Sequence, residues 1–172
     1  LCREDFNAIP FINADGYHSK TIAYSIWHIF RIEDIVAHTV ITEDEQVFFT
    51  GNYQVRINSP IITTGNELVK QQIADFSKQL NLEELYSYIF EVRESTEKIL
   101  ERFSYDELKW KIPDERKGYL KSLNVVNCDE KAIWLIDYWC SKDIRGLIQM
   151  PFSRHWIMHT EACLRIKNKM HS

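Results

Sequence analysis

The amino-acid sequence predicts an all-α protein, on three observations. The segment 19–43 carries apolar residues at helical spacing and contains neither glycine nor proline. Four later segments place a serine, threonine or asparagine three residues before a glutamate, a pattern that caps helix N-termini. The segment 82–103 has an apolar seam in steps of three and four, which is typical of a helix packed in a bundle. We therefore expect a core built from helices packed on one another.

The first long helix is predicted from Ser19 to about Glu43. Its apolar residues cover much more than one stripe: Ile22, Ile26, Trp27, Ile29, Ile32, Ile35, Val36 and Val40. A helix that is apolar over so much of its surface lies in the interior of a bundle. The other helices are expected to pack around it.

Capping boxes give the expected starts of the next helices, because the cap side chain accepts a backbone N–H that the helix leaves free. They are Thr64 with Glu67, opening a helix to Leu80; Asn81 with Glu84, to Phe103; Ser104 with Glu107, ending before Pro113; and Asn127 with Glu130. The segment 128–145 is expected to pack over one end of the bundle. The last helix is predicted over 151–169 and starts at a proline.

The segment 46–62 allows two interpretations. Two short apolar runs, 47–49 and 53–57, are separated by Thr50, Gly51 and Asn52, so they could form a small β-hairpin. An irregular loop packed across the bundle fits the same residues. Both alternatives leave this segment outside the main helices.

Composition limits the class of protein. The chain has 172 residues, 45% of them hydrophobic, which suits a single domain over 1–172. No apolar stretch approaches the roughly 18 residues of a membrane helix, and no signal-peptide pattern opens the chain, so we expect a cytoplasmic protein. A net charge of −4 with scattered lysine and arginine argues against nucleic-acid binding. The four cysteines lack CxxC spacing and are expected to be reduced.

Three histidines are the candidate metal ligands. His155 and His159 are four residues apart on the last predicted helix, so their rings project from one face. His28 lies mid-helix among apolar residues, where an unpaired polar ring is costly, and it is the candidate third ligand. Three histidines leave coordination positions open for a substrate. The alternative is that the histidines are ordinary core residues bonded to backbone groups.

Several other residues could have a role beside these histidines. Glu33 falls on the inward stripe of the first helix, where it could accept a proton or orient a ligand; the alternative is a solvated or arginine-paired carboxylate. Trp27 and Trp156 neighbour the proposed ligands and could wall a cleft, although a place in the core also explains them. The cysteines Cys140 and Cys163 lack the spacing of metal ligands. A zinc-protease motif is excluded, because no glutamate stands between His155 and His159.

Three stretches resemble the DinB-like superfamily. The run Ile-Ala-Tyr-Ser-Ile-Trp-His-Ile-Phe-Arg-Ile-Glu-Asp at 22–34 resembles the second helix of that family, which carries a histidine. Thr-Gly-Asn at 64–66 is similar to a short element of one branch. The run Met-Pro-Phe-Ser-Arg-His-Trp-Ile-Met-His-Thr-Glu-Ala at 150–162 resembles the fourth helix. In this order the three stretches extend over most of the chain.

The resemblance implies a DinB-like four-helix bundle with a divalent metal, such as zinc, nickel or iron, on His28, His155 and His159. Family members with assigned activities are S-transferases and isomerases that use low-molecular-weight thiols such as bacillithiol or mycothiol. The family has a helix before the one that carries the first histidine. Here only 18 residues precede Ser19, so that helix is either missing upstream of Leu1 or replaced by another element, such as 64–80.

The sequence therefore supports two function hypotheses. The first is a metal-dependent enzyme of the thiol S-transferase type, acting on a small-molecule substrate. The alternative is a non-catalytic binding or stress-response module with a structural or vestigial metal site. A homodimer is compatible with either hypothesis, because an incomplete bundle exposes apolar faces.

Overall fold

The computed structural model describes residues 1–171, and within that range all regular secondary structure is helical. The α-helices, in chain order, are α1 Arg3–Asn7, α2 Ile22–Asp34, α3 Val47–Thr50, α4 Tyr53–Arg56, α5 Gln71–Gln79, α6 Leu82–Leu100, α7 Arg116–Ser122, α8 Glu130–Cys140, α9 Ile144–Gln149 and α10 His155–Met170. Short 3₁₀ turns occupy Gly16–His18 and Glu107–Lys109, and π-helical segments occupy Ile35–Thr42 and Met150–Arg154. The predicted all-α class is confirmed.

The helix α2 is the centre of the fold, as its apolar surface predicted. It begins at Ile22 because the Thr21 hydroxyl accepts the backbone N–H of Tyr24 at 3.0 Å. All of its residues except Ile26 are buried. The chain continues from α2 into the π-helical segment Ile35–Thr42, which ends at Glu43 in the left-handed conformation.

Two groups of apolar side chains pack on opposite parts of this central helix. The first joins the beginning and middle of α2 to α3, α4, α5 and α6. The second joins the end of α2 and the π-helical segment after it to α7, α8 and α9. The helix α10 packs against α2 and against the turn Gly16–His18. This packing places α10 beside the residues of α2 that include His28.

The hairpin interpretation of 46–62 is wrong, because both apolar runs are short helices. The carboxylate of Asp34 accepts the backbone N–H groups of Val47 and Phe48, each at 2.9 Å, and so caps the start of α3. Phe48 and Tyr53 then turn into the core instead of alternating across a strand. The capping residue lies 13 positions before Val47, so the local sequence pattern does not reveal it.

Three of the four predicted helix starts need correction, two of them at Thr64 and Asn127. Thr64 does not open a helix, and α5 begins only at Gln71. The helix predicted from Asn127 is capped two residues later, where Asp129 accepts the backbone N–H of Lys131 at 2.8 Å.

The start predicted at Asn81 is confirmed: Asn81 caps α6 and accepts the N–H groups of Glu83 and Glu84. The short helix predicted from Ser104 is wrong, because that segment forms only the 3₁₀ turn Glu107–Lys109. Within residues 1–171, no helix has the length and apolar composition that crossing a bilayer requires.

The loop between α4 and α5 is fixed to α2 by a buried arginine. Arg31 is fully buried and donates from Nε and Nη2 to the carbonyl oxygen of Ile62, at 3.0 and 2.8 Å. Its Nη2 also donates to Gln46 Oε1 at 2.7 Å, and Asp34 lies 3.5 Å from its Nη1. Satisfied in this way, the guanidinium tolerates burial. The same loop carries Thr64 to the neighbourhood of His28.

Candidate metal centre

The three histidines predicted as ligands come together at one point. His28 is contributed by α2, and His155 and His159 by the first two turns of α10. One nitrogen from each ring can be chosen so that all three lie within 4.8 Å of one another. The ring centroids are 4.6 to 5.0 Å apart, and each of the three residues is at least nine-tenths buried. The juxtaposition expected from the sequence is therefore present.

His28 is oriented by groups on both sides of its ring. Its Nδ1 lies 2.6 Å from the carbonyl oxygen of Thr64, so Nδ1 carries the proton and donates it to that oxygen. The Tyr24 ring stacks on the imidazole at 5.4 Å with an interplanar angle of 11°. This arrangement leaves the lone pair on Nε2, which is 3.2 Å from His155 Nε2. The backbone bond expected under the core-residue alternative exists, but it occupies only the nitrogen that faces away from the cluster.

Within residues 1–171, His155 and His159 lack the backbone partners that buried core histidines normally have. Nδ1 of His155 and both ring nitrogens of His159 are buried with no hydrogen-bonding group in reach. A buried polar atom without a partner is costly, so such atoms call for an explanation. One nitrogen of each of these two rings lies within 4.8 Å of a ring nitrogen of His28.

Burial keeps the three rings in the neutral form that metals bind. It lowers the pKa of His155 to about 4 and lowers the pKa of His28 and His159 well below the ordinary histidine value. The neighbouring histidines lower the pKa of His28 and His159 further, while the Thr64 bond opposes this shift at His28. Neutral imidazoles at pH 7 can donate lone pairs without first losing a proton.

The residues present fit a divalent metal ion. At roughly 2.1 Å per zinc–nitrogen bond, two nitrogens on a tetrahedral ion are about 3.4 Å apart. One nitrogen of each ring lies within 4.8 Å of the other two, so movements of about an ångström bring the three nitrogens to coordination distance. Within residues 1–171 the group contains no cysteine or carboxylate. The donor set is three imidazoles, which suits zinc, nickel, copper or iron.

A second set of contacts holds α10 in register with α2. Trp156 donates from Nε1 to Glu33 Oε2 at 3.0 Å, and Arg93 of α6 donates to Glu33 Oε1 at 3.0 Å. The Arg93 guanidinium also lies 4.8 Å from the centre of the Trp156 ring. Glu33 is thus the arginine-paired residue that the sequence allowed, and it makes no contact with a ring nitrogen of the cluster. It positions the helix that carries His155.

The π-helical segment Met150–Arg154 leads directly into α10, so His155 is the first residue of α10 and directly follows the π-helical turn. A π-helical turn adds a residue to the local repeat and thereby shifts the side chains that follow it around the helix axis. Such turns are frequent at functional sites. The predicted continuous helix over 151–169 did not contain this feature.

Two cavities open onto the cluster. The first, of about 220 Å³, reaches His28 and His155 and has mostly apolar walls: Ile32, Trp134, Leu135, Tyr138, Trp139 and Pro151 are among them. The second, of about 340 Å³, reaches His28 and His159 and is lined by Ser19, Lys20, Tyr24 and Asn66, among others. Tyr17 lines both cavities, and its ring meets His159 edge-on at 4.8 Å.

The other sequence candidates lie outside the cluster. Trp27 is fully buried in the core, and Cys140 and Cys163 are free thiols that do not join the histidines. His38 is also outside the cluster and links Asp44 and Ser95 through its two nitrogens, at 2.6 and 3.0 Å.

Sequence reasoning missed Tyr24, Lys20 and the carbonyl of Thr64. Tyr24 had a usable signal, since it stands four residues before His28 on the same face of α2. Thr64 was assigned to a helix cap instead. Lys20 lies in the stretch before α2, and no local pattern there indicated a role.

Comparison with known proteins adds no assignment. The chain matches no family model, no curated protein and no solved structure.

Proposed function

We propose that the protein is a metal-dependent enzyme that binds one divalent transition metal, zinc, nickel or iron, through His28, His155 and His159. One observation carries the proposal: one ring nitrogen from each of three buried histidines, on two helices, can be chosen so that all three lie within 4.8 Å of one another. Nδ1 of His155 and both ring nitrogens of His159 lack hydrogen-bond partners, and a shared metal ion would satisfy one nitrogen of each ring. The resemblance of 22–34, 64–66 and 150–162 to the DinB-like superfamily supports the same ligand set. On this proposal, α2, α6 and α10 are three helices of a DinB-like four-helix bundle.

An enzyme is favoured over a structural metal site by the openness of the cluster. Structural zinc sites are closed by four protein ligands, whereas catalytic sites keep positions free. Within residues 1–171 the group offers three protein ligands, and two cavities reach it. A small molecule can therefore approach the histidines, which a purely structural site does not need.

The reaction type we propose is S-transfer from a low-molecular-weight thiol to an electrophilic carbon that carries a halide or a similar leaving group. The thiolate sulfur forms a bond to the carbon, the leaving group departs with the electron pair of the bond that breaks, and the thiol proton passes to solvent. When bound, the metal supplies a Lewis acid that lowers the pKa of a thiol, so that thiolate forms at neutral pH. The chain has no cysteine in the cluster, and burial raises the pKa of Cys140 and Cys163. The nucleophile therefore has to come from a substrate. The side chains that line the two cavities at the cluster bind and orient that substrate.

Metal analysis of protein made without a histidine tag tests the first part of the proposal. We expect one ion per chain after titration with zinc, nickel or iron(II), and loss of stoichiometric binding in His155→Ala and His159→Ala. The variant His171→Ala removes an exposed histidine and is the matched control, with unchanged stoichiometry. Circular dichroism of each variant checks that the helices remain folded. An ion-free wild-type protein after titration would contradict the metal site.

The second part is tested by turnover of the metal-loaded protein with cysteine, 2-mercaptoethanol or bacillithiol and the electrophiles monochlorobimane and iodoacetamide. We expect transfer that depends on the metal and is lost in His155→Ala. A protein that binds one metal but transfers none of these thiols, and shows no change in metal absorption on adding them, would support the alternative of a non-catalytic module.

A further inference from the structure

The two cavities at the histidine cluster differ in the polarity of their walls, and this difference indicates what kind of ligand each cavity binds. One has aromatic and aliphatic walls and the other has polar walls with a lysine. His28 lines both, so a single molecule, or two molecules meeting there, can fill both cavities while touching the cluster. What each cavity accepts follows from its walls.

Lys20 is the group that defines the polar cavity. It is partly buried beside Tyr24, His28 and His159, and its Nζ lies 5.2 Å from the centre of the Tyr24 ring. In residues 1–171 no aspartate or glutamate forms an ion pair with it: the pairs in that range involve other lysines and arginines. Burial lowers the pKa of this ammonium group. A partly desolvated cation without a counter-charge is a binding site for an anionic group.

The polar cavity offers a further unused group. Asn66 lines both cavities, and its Oδ1 is buried without a hydrogen-bond partner among residues 1–171. An amide oxygen accepts hydrogen bonds, so it can receive a donor from a ligand that spans the cluster. Together with Lys20 it provides one cationic and one neutral polar contact.

The aromatic cavity suits a flat uncharged group. Its volume of about 220 Å³ exceeds the roughly 150 Å³ of an engineered apolar cavity that binds benzene in another protein. Trp134 and Tyr138 meet edge-on at 5.6 Å on its wall, and Trp134 is 49% exposed. Aromatic walls of this kind bind planar groups by stacking and by excluding water.

We propose that the ligands of the cluster are an organic anion, whose negative group pairs with Lys20 in the polar cavity, and a flat uncharged group in the aromatic cavity. This inference rests on the proposed metal site. In S-transfer the two groups belong to an anionic thiol and to a flat electrophile that carries a leaving group such as halide. Both cavities reach His28, so the thiol sulfur and the electrophilic carbon can meet at the cluster, where the carbon–sulfur bond forms as the halide leaves.

Binding of small thiols to the zinc-loaded protein, measured by isothermal titration calorimetry, tests the polar cavity. The probes are 3-mercaptopropionate and its uncharged amide, which share sulfur and chain length. We expect the anion to bind at least about tenfold more tightly than the amide in the wild type, since hydrogen bonds to charged groups are the stronger ones. Lys20→Met should remove that preference and leave the affinity for the amide unchanged.

The control variant is Lys121→Met, which removes the same charge from an exposed position on α7 that lines neither cavity. It should keep the tenfold preference. Equal binding of anion and amide by the wild type, or an equal loss of both in Lys20→Met, would overturn the assignment to Lys20. If the protein bound neither zinc nor any of the thiols, that result would instead refute the proposed function on which this inference rests.

The aromatic cavity is tested with 2-phenylethanethiol against ethanethiol in the same calorimetric assay. We expect the aryl thiol to bind at least about tenfold more tightly, and Tyr138→Ala to abolish most of that difference while zinc stoichiometry stays at that of the wild type. Tyr86→Ala, at an exposed tyrosine of α6 that lines neither cavity, is the matched control. An aryl preference that survives in Tyr138→Ala, or is missing from the wild type, would overturn the assignment of the flat group to the aromatic cavity.

Discussion

His28 Nδ1 and the carbonyl oxygen of Thr64 are 2.6 Å apart, although the two residues are separated by 36 positions in the chain. The bond selects the tautomer of His28 and points its Nε2 lone pair at His155. Partners of this kind on the second nitrogen of a metal-bound histidine orient the ring and strengthen the ligand. The ligand role that we propose for His28 therefore depends on the backbone of a loop as well as on its own helix.

Gly65→Ala is expected to destabilise the protein and weaken metal binding. Gly65 has φ +77, and an added Cβ would lie 2.8 Å from Cζ3 of Trp27. Because neither the backbone conformation nor the space suits alanine, we expect a loss of about 2 kcal/mol in the free energy of unfolding. Displacement of the adjacent Thr64 carbonyl should weaken metal binding about tenfold or more. Denaturant unfolding and metal titration measure the two effects.

The matched control for this change is Gly118→Ala in α7. A Cβ at Gly118 meets no atom within 4 Å, and φ there is not positive. We expect equal or higher stability, by up to about 1 kcal/mol, because alanine is the better helix former. Metal affinity should stay at the wild-type value. Equal effects of both substitutions on metal binding would argue against a role for the Thr64 carbonyl.

Much of the histidine cluster could be predicted from the sequence because its determinants are local. The spacing of four residues fixes that His155 and His159 share a face of α10, and the apolar residues around His28 indicate that it points inward. The helical class was equally predictable from the pattern of α2 and from the cap at Asn81. These features depend on residues within one or two turns of each other.

The parts that could not be predicted depend on contacts between distant residues. Tyr24 donates to the carbonyl of Gly65 at 2.9 Å, and Arg31 donates to that of Ile62, so α2 determines the path of the loop that follows α4. The short helix at Val47 likewise requires the carboxylate of Asp34. Short apolar runs are ambiguous between strand and helix without such information.

Arg93→Ala is expected to show how much the Arg93 guanidinium stabilises the buried carboxylate of Glu33. Burial raises the pKa of Glu33, and Arg93 opposes that shift. Without the guanidinium, a buried carboxylate loses its counter-charge, so we expect a loss of about 2 to 3 kcal/mol in the free energy of unfolding at pH 8. The loss should shrink toward pH 5, because protonation of Glu33 in the folded state removes the uncompensated charge. Urea unfolding at both pH values measures it.

The double variant Glu33→Gln/Arg93→Ala separates charge from packing. If the buried carboxylate causes the loss, adding Glu33→Gln should restore part of the stability that Arg93→Ala removes at pH 8. The remaining deficit then reports the contact of Arg93 with the Trp156 ring. A double variant as unstable as the sum of the two single variants would mean that Glu33 and Arg93 are not coupled.

Two of the four cysteines should react quickly with thiol reagents and two slowly. Cys2 and Cys128 are exposed, whereas burial raises the pKa of Cys163 to about 11 and also raises that of Cys140. The thiolate is the reactive form, so at pH 7.5 we expect the slow pair to react more than about tenfold more slowly with dithionitrobenzoate. A third rapid thiol would provide a protein nucleophile and weaken the argument for an external thiol.

Acid should destabilise the metal-free protein through the buried histidines. The pKa of His155 is about 4 in the folded state and about 6.5 when unfolded, so between these values only the unfolded state takes up the proton. Stability is therefore complete above about pH 6.5 and falls toward pH 4, by about 3 kcal/mol for this residue alone. Replacing it in His155→Gln should remove that part of the slope in thermal or urea unfolding, while His171→Gln at an exposed position should retain it. An unchanged acid slope in His155→Gln would mean that the ring is not buried in its neutral form. In zinc-loaded protein the stability should fall more steeply with decreasing pH, because proton uptake then releases the metal.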